Sequence, residues 1–265
     1  MTDNRVTDWS AARVADRLLT AEADVEPQTS ITAEWDGLDL RTAYDTQDIA
    51  LRMRIARGET VTGVKLGVTS RAKQQQVGVD SPSTAWLTDR MILPIGAAVP
   101  LERHIHARVE PEIAFVMGRR LAGPGVSAAT ALAAVDHVVG ALEIIDSRFA
   151  GYAFSMMDAV ADNNSSGRYV TGSIAQGVPG LDLGLEACLL DVDGEIVDSA
   201  TGAAVWGHPA EALAFAANTL AERGLAIEAG WVVLTGGMTD AVPLQSGSRV
   251  AAHFTSLGTV TVSGG

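Results

Sequence analysis

The segment ARVEPEIAFVMG, residues 107–118, sets two carboxylates one residue apart in an otherwise apolar run. Residues two apart in an extended strand point to the same side. Glu110 and Glu112 therefore share a face, with His104, His106 and Arg108 preceding them on it, while Val109, Pro111, Ile113 and Phe115 form the other. Taken alone, this pattern fits an edge strand with a solvated polar face, and Pro111, which donates no ladder hydrogen bond, suits an edge or a bulge. A third carboxylate changes the balance. Glu143 stands in ALEIID beside Leu142, Ile144 and Ile145, a segment built to be packed, and a buried Glu without a partner is costly. Three such groups repel one another unless positive charge sits among them, either as an ion pair to Lys or Arg or as a divalent cation. Three oxygen ligands with open positions suit Mg²⁺ or Mn²⁺ and leave room for a chelating substrate.

Lys65 is the second candidate. In VTGVKLGVT its neighbours on the same strand face are Gly63 and Gly67, which predicts open space beside the ammonium. A solvated lysine is the ordinary alternative. A partly buried amine among Val, Leu and Gly can instead hold a substrate carboxylate or exchange a proton near neutral pH. The glycine pair of TGGMTDAVP, residues 235–243, can bring backbone amides and the Thr239 hydroxyl to a ligand, or it is an ordinary turn. In IDSRF, Asp146 and Arg148 are expected to form a surface salt bridge. The chain has no Walker loop, no G-x-G-x-x-G after a strand, no HExxH and no G-x-S-x-G elbow, so a Ser or Cys nucleophile with a triad is not indicated.

The elements that must position these groups begin with two helices. SAARVADRLL repeats Ala11, Val14, Ala15 and Leu18 on one face, with Asp8 or Ser10 as cap, and a second helix carries Ala43, Tyr44, Leu51 and Ile55 and stops at Gly58. From residue 61 the period shortens. VTGVKLGVT reads as a strand alternating Val64, Leu66 and Val68 against Gly63, Lys65 and Gly67, and SRAKQQQVG as a short helix. Further strands are expected in HARVEPEIAFVM, VVGALEII, the Asp193–Gly194 hairpin of LEACLLDV and EIVDSA, GWVVLTG, SRVAAHFT and GTVTVS. The helices among them are SAATALAAVDH and HPAEALAFAANTLAERG, while ADNNSSGRYVTG, residues 161–172, reads as a loop. Strands in runs with few helices predict an α+β fold around a mixed or antiparallel sheet.

The chain has 265 residues, 47% of them hydrophobic, enough for a core without disulfides. Its net charge of −13 speaks against nucleic acid or an anionic membrane as a partner, so an anionic metabolite needs a local positive centre. One cysteine, Cys188, a start without a signal-peptide pattern and no apolar run long enough to span a bilayer predict a cytoplasmic protein.

GVKLGVTSRAKQQQVGV, VEPEIAFV, ALEIIDSRF, VADNNSSGRYVTG, AAVWGHP and TGGMTDAVP stand in the order and at the spacing of a known group. The chain resembles the 2-keto-4-pentenoate hydratases and 4-oxalocrotonate decarboxylases of the fumarylacetoacetate hydrolase superfamily along nearly its whole length. The resemblance implies a mixed β-sheet roll over 61–265, with 1–60 as an N-terminal helical segment of one compact unit. It implies that Glu110, Glu112 and Glu143 bind Mg²⁺ or Mn²⁺, that Lys65 lies at the substrate, and that a 2-oxo acid chelates the metal, which stabilises the enolate formed as a bond further along breaks. By position within the shared blocks, Ser83, Arg148, Asn163, Ser165, Ser166 and Thr239 are expected around the substrate.

Hydratases of the group carry P-D-[FY]-G after the lysine block, and decarboxylases S-P-x-Y-G-x-L-x-D. Here SPSTAWLTD puts Ser83 where the hydratase Asp stands, keeps Ser81, Pro82, Leu87 and Asp89 of the decarboxylase pattern, and departs from both at Thr84 and Ala85. IDSRF and TGGMTDAV also look more like decarboxylases. The expected activity is therefore decarboxylation of a 2-oxo-3-enedioate, with a 2-oxopent-4-enoate type hydratase and a non-catalytic scaffold for a partner hydratase as alternatives. The resemblance also implies a homo-oligomer, associated in some relatives with a hydratase.

Overall fold

Two helices open the chain. The computed structural model describes residues 9–265, apart from the side chains of residues 72, 76 and 77. Helix α1 (Ala11–Asp24) starts where the Ser10 hydroxyl accepts the Arg13 amide, and it buries Val14, Ala15, Leu18 and Leu19. The other candidate cap, Asp8, lies outside the described residues. Helix α2 (Leu40–Ala56) ends before Gly58, whose φ of 92° turns the chain out of the helix. Its buried side is more polar than the expected apolar stripe: Thr46 and Gln47 are buried with Ala43, while Ile55 is exposed.

The remaining elements are β1 (Val61–Gly67), α3 (Arg71–Val77), β2 (Ser83–Thr88), β3 (Arg108–Met117), α4 (Ala128–Leu132), β4 (Val135–Ile145), α5 (Met156–Ala161), β5 (Ser166–Thr171), β6 (Ala187–Val192), β7 (Glu195–Thr201), α6 (Pro209–Glu222), β8 (Val232–Leu234), β9 (Val242–Pro243), β10 (Arg249–Phe254) and β11 (Thr259–Ser263). They build two sheets, one in the order β2-β1-β8-β3-β4-β5 with β9 also on β3, the other β11-β10-β6-β7. The β1–β8 pair is parallel, and β3 runs antiparallel to β4, β8 and β9. This is the expected α+β arrangement with a mixed, curled sheet. The main core lies between the sheets and α6, where Ile113, Phe115, Val138 and Leu142 meet Leu190, Leu213, Val250 and Val260, each fully buried large side chain contributing about 2 kcal/mol. A second cluster of Val14, Leu18, Ile31, Phe149, Met156 and Val160 seats α1 against α5 and the segment after β4.

Several expectations are corrected here. Strand β3 is central, not an edge. Pro111 is tolerated there because its carbonyl accepts the Met238 amide, so its missing N–H falls on the side facing the 235–241 loop and not on β4. The helix expected over SAATALAAVDH stops at Leu132, and Val135, Asp136 and His137 begin β4, because a strand pairing outcompetes a short alanine run. The expected loop at 161–172 is half strand, since β5 pairs with β4 from Ser166 onward. Val68 leaves β1 with φ 58°. Strand β2 was unforeseen. Its Ser83, Thr84 and Thr88 are buried, and partners from distant segments replace the alternation that would have marked it.

Candidate active site

The register of β3 on β4 places Glu110 directly opposite Glu143, and Glu112 two positions along on the same face. One carboxylate oxygen from each of the three lies within 4.8 Å of the others, and all three side chains are buried. Two lysines reach the cluster. Lys65, on β1, is 2% exposed; its Nζ lies 2.8 Å from Glu143 Oε1 and donates to Asn164 O at 2.9 Å. Lys73, from the first turn of α3, donates to Glu110 Oε2 at 2.7 Å. The glycines beside Lys65 do not leave the open space that the sequence predicts. A Cβ on Gly63 would strike the Val232 carbonyl at 1.9 Å, and one on Gly67 would lie 3.0 Å from the Asn164 amide. They let β8 and the Asn164 turn close over the lysine.

The glycine pair serves the carboxylates. Gly236 N–H donates to Glu112 Oε2 at 2.7 Å, and a Cβ on Gly237 would come within 2.2 Å of Glu110 Oε2. Glu112 Oε1 and Glu143 Oε2 nonetheless have no hydrogen-bond partner among the described residues. Burial, then the charges of Glu143 and Glu110, push Glu112 well above the ordinary carboxylate range; burial raises Glu143 as well, against the pull of Lys65. Burial works to raise Glu110 too, but Lys73 and Lys65 outweigh it and hold that carboxyl low. Three clustered carboxylates with orphaned oxygens and glycine-cleared space fit a hard divalent cation, and the donor set is all oxygen.

A cavity of about 730 Å³ opens beside the cluster, lined by Lys65, Lys73, Arg108, Glu110, Tyr152 and Asn164 among others. The Arg108 guanidinium stacks 4.4 Å from the Tyr152 ring centroid, and His106 packs on the other partner of that stack, 4.5 Å from the same ring. His104 and His106 precede the strand, so the expected histidine alternation does not reach the carboxylate face.

The remaining expected residues divide. Ser165 lines the cavity, and Ser83 lies behind it, donating to Asn164 Oδ1 at 3.0 Å. Asn163 turns away: its amide clasps the Trp86 backbone at 2.8 and 2.9 Å, and Ser166 Oγ donates to the Asn163 carbonyl. Thr239 donates to the Asp240 carbonyl. Arg148 is no surface residue. It is buried, pairs with Asp162 and donates to the carbonyls of Asp146 and Ser166, while Asp146 accepts the amides of Ile105 and His106. Arg148 therefore braces the 162–166 turn and does not line the cavity. Sequence reasoning missed Lys73 and Asn164. Nothing local distinguishes Lys73 from a solvated helix lysine, whereas Asn164 lies between Asn163 and Ser165 in the same Asn-Ser segment, which is the signal that points to it.

The comparisons with known proteins agree with this fold. The fumarylacetoacetate (FAA) hydrolase C-terminal model matches residues 60–263. The chain belongs to the fumarylacetoacetate hydrolase family. It is 40% identical over 248 residues to the 4-oxalocrotonate decarboxylase of Pseudomonas sp. (strain CF600), covering 94% of each chain, and 37% identical over 264 residues to the 2-hydroxyhexa-2,4-dienoate hydratase of Comamonas testosteroni, covering 99% of this chain and 98% of that one. Among solved structures it superimposes on the 4-oxalocrotonate decarboxylase from Pseudomonas putida G7 complexed with magnesium and adipate, with a TM-score of 0.93 and 36% identity over 96% of both chains. No helix among the described residues is long and apolar enough to cross a membrane.

Proposed function

We propose that this chain is a divalent-metal-dependent decarboxylase acting on a 2-oxo-3-enedioate such as 2-oxohex-3-enedioate. The observation that carries the reading is the buried triad of Glu110, Glu112 and Glu143, with unpaired oxygens and Lys65 in contact with it, beside a cavity large enough for a six-carbon diacid. Glu110, Glu112 and Glu143 are the residues that would hold Mg²⁺ or Mn²⁺. When bound, the cation supplies positive charge to the carboxylate and keto oxygens of the 2-oxo acid.

In such an acid the distal carboxylate leaves as CO₂ when its C–C bond breaks. The electron pair passes through the double bond to the keto oxygen, and one proton completes the 2-hydroxydienoate. Lys65 Nζ carries a proton beside the triad, and the Asn164 carbonyl fixes its position. Arg108 at the cavity wall offers a fixed positive charge for a carboxylate, which a monoacid would not use. Residue 83 also favours decarboxylation over hydration: a hydroxyl stands where resemblance places the hydratase carboxylate, and it is engaged with Asn164.

The test is to supply 2-oxohex-3-enedioate with Mg²⁺ and follow headspace CO₂, then repeat after chelation. Metal-dependent CO₂ release is expected. A protein that releases no CO₂ from the diacid but adds water to 2-hydroxypenta-2,4-dienoate is a hydratase, and the proposal fails.

A further inference from the structure

Asn164 is 8% exposed, yet its Nδ2 has no hydrogen-bond partner among the described residues. Such a group is costly unless something else receives its protons. The backbone around it is unusual as well: Asn163, Asn164 and Ser165 have φ of 51°, 49° and 57°, three left-handed residues in a row, a conformation that persists where surrounding structure holds it. This turn carries Asn164 over β1, where its carbonyl receives Lys65 Nζ and its side chain lies beside Gly67 in the cavity wall. Gly67 keeps the space at Nδ2 clear, since a Cβ there would lie 3.0 Å from that nitrogen.

Ser83 decides which end of the amide faces that space. Its side chain is fully buried, and its hydroxyl donates to Asn164 Oδ1 at 3.0 Å. With the amide turned round, Nδ2 would face Ser83 and the serine proton would lose this acceptor. The hydroxyl thus holds Oδ1 toward β2 and leaves Nδ2 for the cavity.

We propose that Asn164 is a substrate-binding residue whose Nδ2–H donates to an oxygen of the acid held beside Lys65, with Ser83 as the positioning residue that keeps the amide in its donor orientation. The inference rests on the reading that a 2-oxo acid occupies this cavity. It has a consequence for specificity. An ionised carboxylate at position 83 only accepts hydrogen bonds, so it draws Nδ2 toward itself and turns Oδ1 to the cavity, where it repels an anionic oxygen. Residue 83 therefore selects whether the site offers a donor or an acceptor.

The test uses the full-length, Mg²⁺-loaded protein. Asn164→Gly keeps the left-handed backbone and the carbonyl that holds Lys65, Asn164→Asp is isosteric, and thermal melting verifies that each is folded. Both are expected to lower kcat/KM for 2-oxohex-3-enedioate about ten- to a hundredfold, the loss of one hydrogen bond to a charged oxygen, and to weaken calorimetric binding of oxalate similarly while leaving Mg²⁺ affinity unchanged. Ser83→Asp is expected to match Asn164→Asp. Ser83→Ala is expected to cost less, and to cost nothing further when combined with Asn164→Gly, because it acts through that amide. If either folded Asn164 variant keeps turnover and oxalate affinity within about twofold of wild type, the Asn164 role is overturned; if the Ser83 and Asn164 losses add, the positioning role is. A wild-type protein that neither turns over the 2-oxo acid nor binds oxalate overturns the functional reading itself, an outcome distinct from an active wild type with indifferent variants.

Discussion

Replacing Glu112 by Gln should change stability in opposite directions with and without metal. Glu112 has neighbours in Glu110 and Glu143 whose oxygens lie within 4.8 Å, and each repels it by about 3 kcal/mol at an effective dielectric near 20. Lys65, paired with Glu143, and Lys73, paired with Glu110, offset most of this, so an ionised Glu112 in metal-free protein is penalised chiefly as a buried charge without a partner of its own, at a cost of about 3 kcal/mol. Gln keeps an oxygen to accept the Gly236 amide and removes the charge.

The pH dependence has a definite sign. Burial and the two carboxylates raise the folded-state pKa of Glu112 well above its ordinary value. Its contribution is therefore fully present below the unfolded pKa of 4.5 and is lost as pH rises through the folded value. In EDTA, wild type and Glu112→Gln should melt together near pH 5, and the variant should melt higher by roughly 6–12 °C at alkaline pH, where the full cost of about 3 kcal/mol for the buried charge applies. With Mg²⁺ at a thousand times Kd the order reverses, because wild type gains about 4.1 kcal/mol and the variant, lacking the ligand charge, gains little. Thermal melting across pH with and without Mg²⁺ reads all four conditions. A variant that melts below wild type in alkaline EDTA, or one that Mg²⁺ stabilises as much as wild type, would refute the clustering of uncompensated charge on which the site rests.

Other perturbations test neighbouring parts. Lys65→Met should lower kcat on the 2-oxo acid by about a hundredfold or more, as loss of a positioned proton donor does, and a rate within about threefold of wild type would remove Lys65 from the chemistry. Gly237→Ala should weaken Mg²⁺ binding in calorimetry by more than about tenfold, since its Cβ would come 2.2 Å from Glu110 Oε2 and displace that carboxylate; unchanged affinity would mean the loop yields freely. Arg148→Ala strands a buried Asp162 and should cost about 3–5 kcal/mol in urea denaturation. Burial, opposed by Arg148, pushes Asp162 up to about 6, so stability should fall as pH rises from its ordinary value toward that one, and Asp162→Asn should abolish this part of the slope.

The carboxylate triad was legible because two local rules met: period-two alternation put Glu110 and Glu112 on one face, and an apolar strand with a single Glu implied burial of Glu143. The pairing of those strands needed no long-range information beyond adjacency. What stayed hidden depends on contacts far apart in the chain. Lys73 meets Glu110 across 37 positions and Lys65 meets the Asn164 carbonyl across 99, so neither the docking of α3 nor the left-handed turn is written in local spacing. Arg148 misled for the same reason. Asp146 lay two residues away and looked like its partner, but the fold gives Arg148 to Asp162 and Asp146 to the backbone of the segment before β3. Strand β2 escapes a local reading because the groups that seat it come from far along the chain: Ser83 Oγ donates to Asn164, while the Thr84 carbonyl and Trp86 amide are held by Gln47 and Asn163, and such pairing is a tertiary property.

The charge distribution bears on how so acidic a chain could receive the dianion proposed as its substrate. With a formal charge of −13 the surface repels anions, and the site without metal adds to that repulsion: three carboxylates against Lys65 and Lys73 leave one negative charge. Arg108 and the exposed Asp240, both at the cavity wall, cancel each other at that count. A divalent cation turns the floor of the cavity from one negative to one positive charge, and the low polarisability of a buried site makes the reversal felt at short range. Affinity for a diacid should therefore appear only after the cation is in place, an ordered sequence imposed by electrostatics. The lysines serve this order in both states: before loading they keep three carboxylates from forcing the strands apart, and after it they remain as positive charge that the carboxylates no longer fully consume.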